Sequence, residues 1–165
     1  MHNILVLLYC CSVSEPYPAS KQWFQRIKDM CDILLPPNYP ALEYDEDPNV
    51  TISFFHSQFE PSTMKLDVII PKFMDPNSHI STSVWGPPAW DLIHGLARDD
   101  QKYTLVEPLL ECWKHVLPCA TCRNHLTTHL ENHKFNYTSP EETHQYTILL
   151  HNAVNAQLEK PMYIQ

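Results

Sequence analysis

An all-α four-helix bundle over residues 84–165, with a small N-terminal α+β appendage over residues 1–80, is the architecture the sequence predicts. Three observations predict it. From residue 84 onward four amphipathic segments follow one another with short connections, as in a helical bundle. Before residue 80 the apolar residues come in short runs with a β-α-β-β order. Between the two lies a polar, proline-containing connector over 71–83. A segment of about 80 residues buries little core, so the first part is a module that packs on the helical half or a marginal unit of its own.

In chain order, Ile4 to Cys11 is an unbroken apolar run. Its length and flanking turn signals favour a buried strand over the core of a signal peptide, which would want a basic residue before it. Residues 20–35 read as a helix capped by Ser20, with Trp23, Phe24, Ile27, Met30, Cys31 and Leu34 at helical spacing and Pro36-Pro37 as the stop. Residues 36–49 form an acidic, proline-rich loop, and Val50–Phe55 and Leu66–Ile70 read as short strands.

The second half reads as helices throughout. Pro87-Pro88 are expected to open the first, with Trp90, Ile93, His94 and Ala97 on one face. The next covers about 104–116, with Leu105, Leu109, Cys112, Trp113 and Val116 inward. A third starts at Pro118-Cys119-Ala120-Thr121-Cys122 and runs to about 131, placing Leu126 and Leu130 together. Ser139-Pro140-Glu141-Glu142 is an N-cap, a proline at the first helical position and an acidic first turn. That last helix runs to about Leu158, with Tyr146, Leu149, Leu150, Ala153, Val154 and Leu158 as its apolar stripe.

Composition narrows the function. A formal net charge of −8 with no basic run argues against a nucleic-acid surface. No apolar run approaches the length of a membrane span. Only two glycines, Gly86 and Gly95, are present, which excludes a glycine-rich nucleotide loop and a P-loop. Six cysteines in a chain of 165 residues suit a protein that handles thiols better than a disulfide-dense secreted framework.

The chemistry concentrates at Cys119 and Cys122. At a helix start, two residues between the sulfurs allow a small-loop disulfide, and the partial positive charge of the helix N-terminus favours a thiolate. The pair is therefore a redox dithiol candidate. Zinc competes, because Cys119, Cys122, His125 and His129 run C-x2-C-x2-H-x3-H, with His133 beyond. On one helix, however, His129 would lie about 10 Å along the axis from Cys122, which is poor spacing for one ion. A flavin-free CxxC isomerase is a further reading. On the last helix, His151 and Asn155 are four apart, with Asn152 between them and Lys160 just past the end. They form either a hydrogen-bonded polar face or a cluster reading a ligand rich in acceptors, with Trp90, Trp113 and Tyr146 able to cover a planar ring or simply to fill the core.

Trp85-Gly86-Pro87-Pro88-Ala89-Trp90 leading to His94, then Leu117-Pro118-Cys119-Ala120-Thr121-Cys122, then His151-Asn152-Ala153-Val154-Asn155 through Lys160-Pro161, together resemble the ERV/ALR family of FAD-dependent sulfhydryl oxidases. The resemblance covers residues 84–163. It implies a helical bundle, usually a homodimer, that holds FAD without a glycine-rich loop. It implies that Cys119 exchanges with incoming protein dithiols and that Cys122 lies beside the flavin. It also implies that Trp90, His94, His151, Asn152, Asn155 and Lys160 contact FAD, and that oxygen is reduced to hydrogen peroxide. No metal is implied. Departures accompany it. Leu117 stands where many members have Tyr, and Ile148 and Gln165 stand where a second cysteine pair would staple the last helix. With a fifth helix also unexpected, the pattern is similar to members encoded by large DNA viruses, which implies the host cytoplasm or the virion. Cys10-Cys11 is a poor shuttle pair because adjacent cysteines close a strained ring. Cys31 and Cys112 read as buried apolar residues, with a resolving role for Cys112 open.

Overall fold

The computed structural model describes residues 21–35, 37–38, 43, 82–135 and 137–164. The expected strands at 4–11, 50–55 and 66–70, Cys10-Cys11 and most of the acidic loop lie outside these residues. Every described regular element is helical. α1 is Lys21–Leu34, α2 Thr82–Ala97, α3 Val106–Val116, α4 Ala120–Asn132 and α5 Pro140–Gln157, with a single 3-10 turn at Tyr103–Leu105 before α3.

α2 begins earlier than expected. It starts at Thr82, inside the stretch expected as connector, and carries Pro87 and Pro88 within it. Each proline removes one intrahelical donor and restricts the residue before it. Gly86 precedes the pair, and nothing from outside its own stretch of helix lies within 4 Å of where its Cβ would be. Trp85 and Ala89 are buried on either side of the prolines and anchor the segment in the core. α3 is shorter than the expected 104–116, because Tyr103–Leu105 tighten into the 3-10 turn.

α4 and α5 begin where local chemistry places them. Cys119 is extended, and its sulfur accepts from the Cys122 N–H at 3.2 Å, an N-cap contact. Ser139 Oγ accepts from the Glu142 N–H at 3.2 Å, and the Glu142 carboxylate accepts from the Thr138 N–H at 3.0 Å. This is a capping box shifted by one residue. α5 ends in a Schellman turn: Glu159 N–H donates to Ala156 O at 3.3 Å and Lys160 N–H to Asn155 O at 2.9 Å. Glu159 takes the left-handed φ of 53° that this turn requires.

The buried face of α5 differs from the expected stripe. Leu149 is 63% exposed and Leu158 49%, whereas Thr143 and Thr147 are fully buried. The threonines are tolerated because each hydroxyl bonds back to its own helix, Thr143 to Ser139 O and Thr147 to His144 O, both at 2.8 Å. α5 packs on α2, and α4 on α3. α1 lies along α3, and its Ile27, Met30 and Cys31 belong to the same buried cluster as Leu109, Cys112 and Val116. Among the described residues no helix is long and apolar enough to cross a membrane.

Candidate functional site

A cavity of about 500 Å³ is walled by residues of α2, α3, α4 and α5 and by the segment following α5. Its wall is mostly apolar, with a few polar groups, in the size range of small-molecule sites. Trp90, His94, His151, Asn155 and Lys160 all line it, and so does Cys122. The structure therefore gathers residues up to seventy positions apart around one space. Trp113 also lines it.

Cys119 and Cys122 are joined as a disulfide with Cα atoms 5.1 Å apart. Cys122 lines the cavity, while Cys119 does not. The Arg123 guanidinium reaches back to donate to Leu117 O, bracing the loop that enters the pair. Both sulfurs are thus committed to one another. Among the described residues no three His, Cys, Asp or Glu side chains converge as a metal site. His129 and His133 are neighbours, with ring centroids 4.8 Å apart, but His125 is exposed.

The histidines form the polar heart of the wall. His94, 3% exposed, has Nδ1 2.9 Å from Thr147 Oγ1 and Nε2 3.0 Å from His151 Nδ1. Burial, with the nearby His151, His144 and Arg98, pushes His94 down to about 4, so it is neutral at pH 7. Burial and then Lys160 lower His151 as well. The Trp90 ring stacks on His151 at 3.9 Å with the planes 5° apart. Buried Trp113 leaves its indole N–H without a partner among the described residues.

Asn152 departs from its expected place. It does not line the cavity but clamps the segment after α5, donating to Tyr163 O at 3.2 Å and accepting from Tyr163 N–H at 2.7 Å. Asn155 donates to Pro161 O at 3.0 Å. These bonds fold the chain back so that the Tyr163 ring stacks on His94 at 4.6 Å and on His151 at 4.5 Å. Thr147 and Tyr163 are site residues that the sequence reasoning missed. Tyr163 lies beyond the last helix, and its only signal was an aromatic ring after Lys160-Pro161.

The model of the Erv1 / Alr family matches residues 88–165. Two FAD-linked sulfhydryl oxidases of African swine fever virus, from a Kenyan and a Malawian isolate, are 29% and 30% identical to the chain over 83 residues. Each match spans 46% of this chain and 69% of the relative. The chain belongs to the Erv1/Alr family. A third, Namibian isolate of that virus has an oxidase of the same description, 29% identical over 83 residues. No solved structure gave a significant match. The region matched to the family holds Trp90, His94, Cys122, His151, Asn155 and Lys160, the residues that meet at the cavity. Residues 21–34, which lie outside it, contribute α1 to the same core.

Proposed function

We propose that the chain is a flavin-linked thiol oxidase that introduces disulfides into protein dithiols through the Cys119–Cys122 pair. One observation carries the proposal: Cys122 opens onto the same aromatic, histidine-lined cavity as Trp90, His94, His151, Asn155 and Lys160. Two features support FAD as the occupant. The cavity is walled by aromatic rings suited to a planar ring system. Lys160 supplies a cation at the cavity edge, as a phosphate needs. Asn152 would act on the cofactor indirectly, through the segment it clamps. Helices α2–α5 would form the family's four-helix bundle, with residues 1–80 an appendage docked through α1.

The chain's own chemistry begins at Cys119. A substrate thiolate attacks its sulfur, forming a mixed disulfide, and the electron pair of the broken S–S bond leaves on Cys122. A second substrate thiolate attacks the substrate sulfur of that mixed disulfide and releases Cys119 as a thiolate. The Cys122 N–H at the helix start offers that sulfur a hydrogen bond. Cys122, which lines the cavity, is then the thiolate placed to pass two electrons onward as Cys119 bonds to it and the Cys119–Cys122 disulfide re-forms. FAD, when bound, supplies a two-electron acceptor that molecular oxygen reoxidises, giving hydrogen peroxide. His94 and His151, both neutral, add no charge to the wall beneath it. The family pattern suggests a homodimer acting in the host cytoplasm or the virion.

The test is the absorption spectrum of the purified full chain. A flavin band that a dithiol bleaches under nitrogen and air restores, with peroxide formed, is the expected result. A colourless protein that takes up no FAD would overturn the proposal.

A further inference from the structure

Thr147 is a fully buried hydroxyl in the middle of α5, at a position where an apolar side chain would serve the core equally well. It lies within hydrogen-bond distance of two groups at once: His144 O at 2.8 Å and His94 Nδ1 at 2.9 Å. From His94 the contacts continue to His151 Nδ1 through Nε2 at 3.0 Å. Four groups thus form one chain of hydrogen bonds from the α5 backbone to the cavity wall, and the chain has only two self-consistent directions.

A hydroxyl has one proton, and a neutral imidazole has one donor and one acceptor nitrogen. In the first direction Thr147 donates to the His144 carbonyl. His94 Nδ1–H then donates to Thr147 Oγ1, and His151 Nδ1–H donates to His94 Nε2. All three contacts are hydrogen bonds. In the second direction Thr147 donates to His94 Nδ1, and His94 Nε2–H donates to His151 Nδ1. The Thr147 contact with the carbonyl is then left without a proton, so only two bonds are made. In a buried site each unmade bond is costly, so the first direction prevails. The consequence falls on His151. With Nδ1–H used toward His94, the ring nitrogen left for a ligand is Nε2, and it carries a lone pair.

We infer that Thr147 is a positioning residue that fixes the tautomers of His94 and His151, so that His151 presents a hydrogen-bond acceptor to an N–H or O–H donor of the bound flavin nucleotide. The inference rests on the proposed function for the identity of the ligand, but not for the relay itself. Burial keeps both rings neutral at pH 7, as the relay requires. The same ligand chemistry occurs in both halves of FAD: the imide and ribityl hydroxyls of the flavin half, and the amino group and ribose hydroxyls of the adenosine half.

The relay is read directly by nitrogen-15 NMR of the imidazoles in the unmodified full chain. Nδ1–H tautomers for both His94 and His151 are expected, and Nε2–H tautomers at both would overturn the inference. Thr147→Val keeps the shape and removes the hydroxyl. It is expected to mix the two tautomers and to weaken FAD binding about tenfold, while Thr147→Ser restores both. Should the valine variant not fold, the wild-type spectrum and the serine variant still decide. Titration with FMN and with ADP separates the halves: weakening toward FMN assigns the donor to the flavin half, and weakening toward ADP to the adenosine half. Unchanged tautomers and unchanged affinity in Thr147→Val would overturn the inference. If the wild type binds no FAD, the flavin assignment fails, and with it the ligand half of this inference. The NMR spectra judge the relay independently.

Discussion

Along α3, Cys112 belongs to the side packed against α1, while Trp113, one residue on, lines the cavity. On the α1 side the described packing is apolar. Ile27, Met30 and Leu109 are fully buried, and the two thiols there are inert by environment. Burial pushes Cys31 up to about 12, and burial raises Cys112 too. On the cavity side the polar groups are unfinished. The Trp113 N–H has no partner among the described residues, and His151, joined through Nδ1 to His94, lines the cavity. Cys119 and Cys122 sit at a helix start that favours thiolate. One helix thus separates two buried, desolvated thiols from a disulfide pair at a helix start, and the difference lies in environment rather than in residue type.

The strongest way to break that contrast is to exchange the cysteines one at a time. Cys119→Ser or Cys122→Ser is expected to lower thiol-oxidase turnover by more than about a thousandfold, because neither can form the disulfide that substrate attacks. Cys31→Ser and Cys112→Ser, read in the same oxygen-consumption assay, are expected to leave turnover within about twofold once stability is allowed for. A large loss of turnover in Cys112→Ser at unchanged stability would make it a resolving thiol and dissolve the contrast.

The α1 side makes its own prediction. Ile27 lies outside the segment matched to the family yet is fully buried in the common core. Ile27→Ala is expected to cost about 3 kcal/mol of unfolding free energy, from lost burial and a residual cavity. Denaturant titration measures it. A change under about 1 kcal/mol would mean that α1 is held loosely and that residues 84–165 stand by themselves.

How much of this was legible depends on how local the cause is. The starts of α4 and α5 were readable, because a cap, a proline and the first-turn residues act within a few positions: Cys119 and Ser139 each accept an N–H three residues on. The gathering of Trp90, His94, His151, Asn155 and Lys160 came from the family pattern, not from periodicity. Thr147 was hidden because a threonine in an amphipathic helix reads as surface, and only the fold reveals that its hydroxyl bonds back and is buried. Tyr163 was hidden because its position depends on a non-helical turn and on the Asn152 clamp. The packing of α1 on α3 is a tertiary fact that neither helix announces.

Acid is the next lever, and it acts on the cavity side. His94 is held near 4, well below the ordinary histidine value, chiefly by burial. Above about pH 6.5 it is neutral in both folded and unfolded chains, and the full stability is present. As pH falls from there toward 4, the unfolded chain takes up a proton that the folded one refuses. Stability then drops by up to about 3 kcal/mol from this residue. His151, His129 and His144 are lowered too and act in the same direction. An NMR titration of the His94 ring checks the cause directly, and a midpoint above about 6 would remove it.

The smallest effect concerns the turn that delivers Lys160 and Tyr163 to the cavity. Glu159 occupies the left-handed position of the Schellman motif with φ 53°, where a side chain costs about 1 kcal/mol or more and glycine is at ease. Glu159→Gly removes that strain but adds backbone freedom to the unfolded chain, which offsets part of the gain. The net expectation is a stabilisation of about 0.5–1 kcal/mol, read as a higher denaturant midpoint at unchanged m. The hydrogen bonds that fix the segment, Lys160 N–H to Asn155 O and the Asn152 clamp on Tyr163, use groups the substitution does not touch. FAD affinity should therefore hold. If it fell while stability rose, the left-handed glutamate would be part of how the cavity is closed, and the cavity side would carry strain that the α1 side does without.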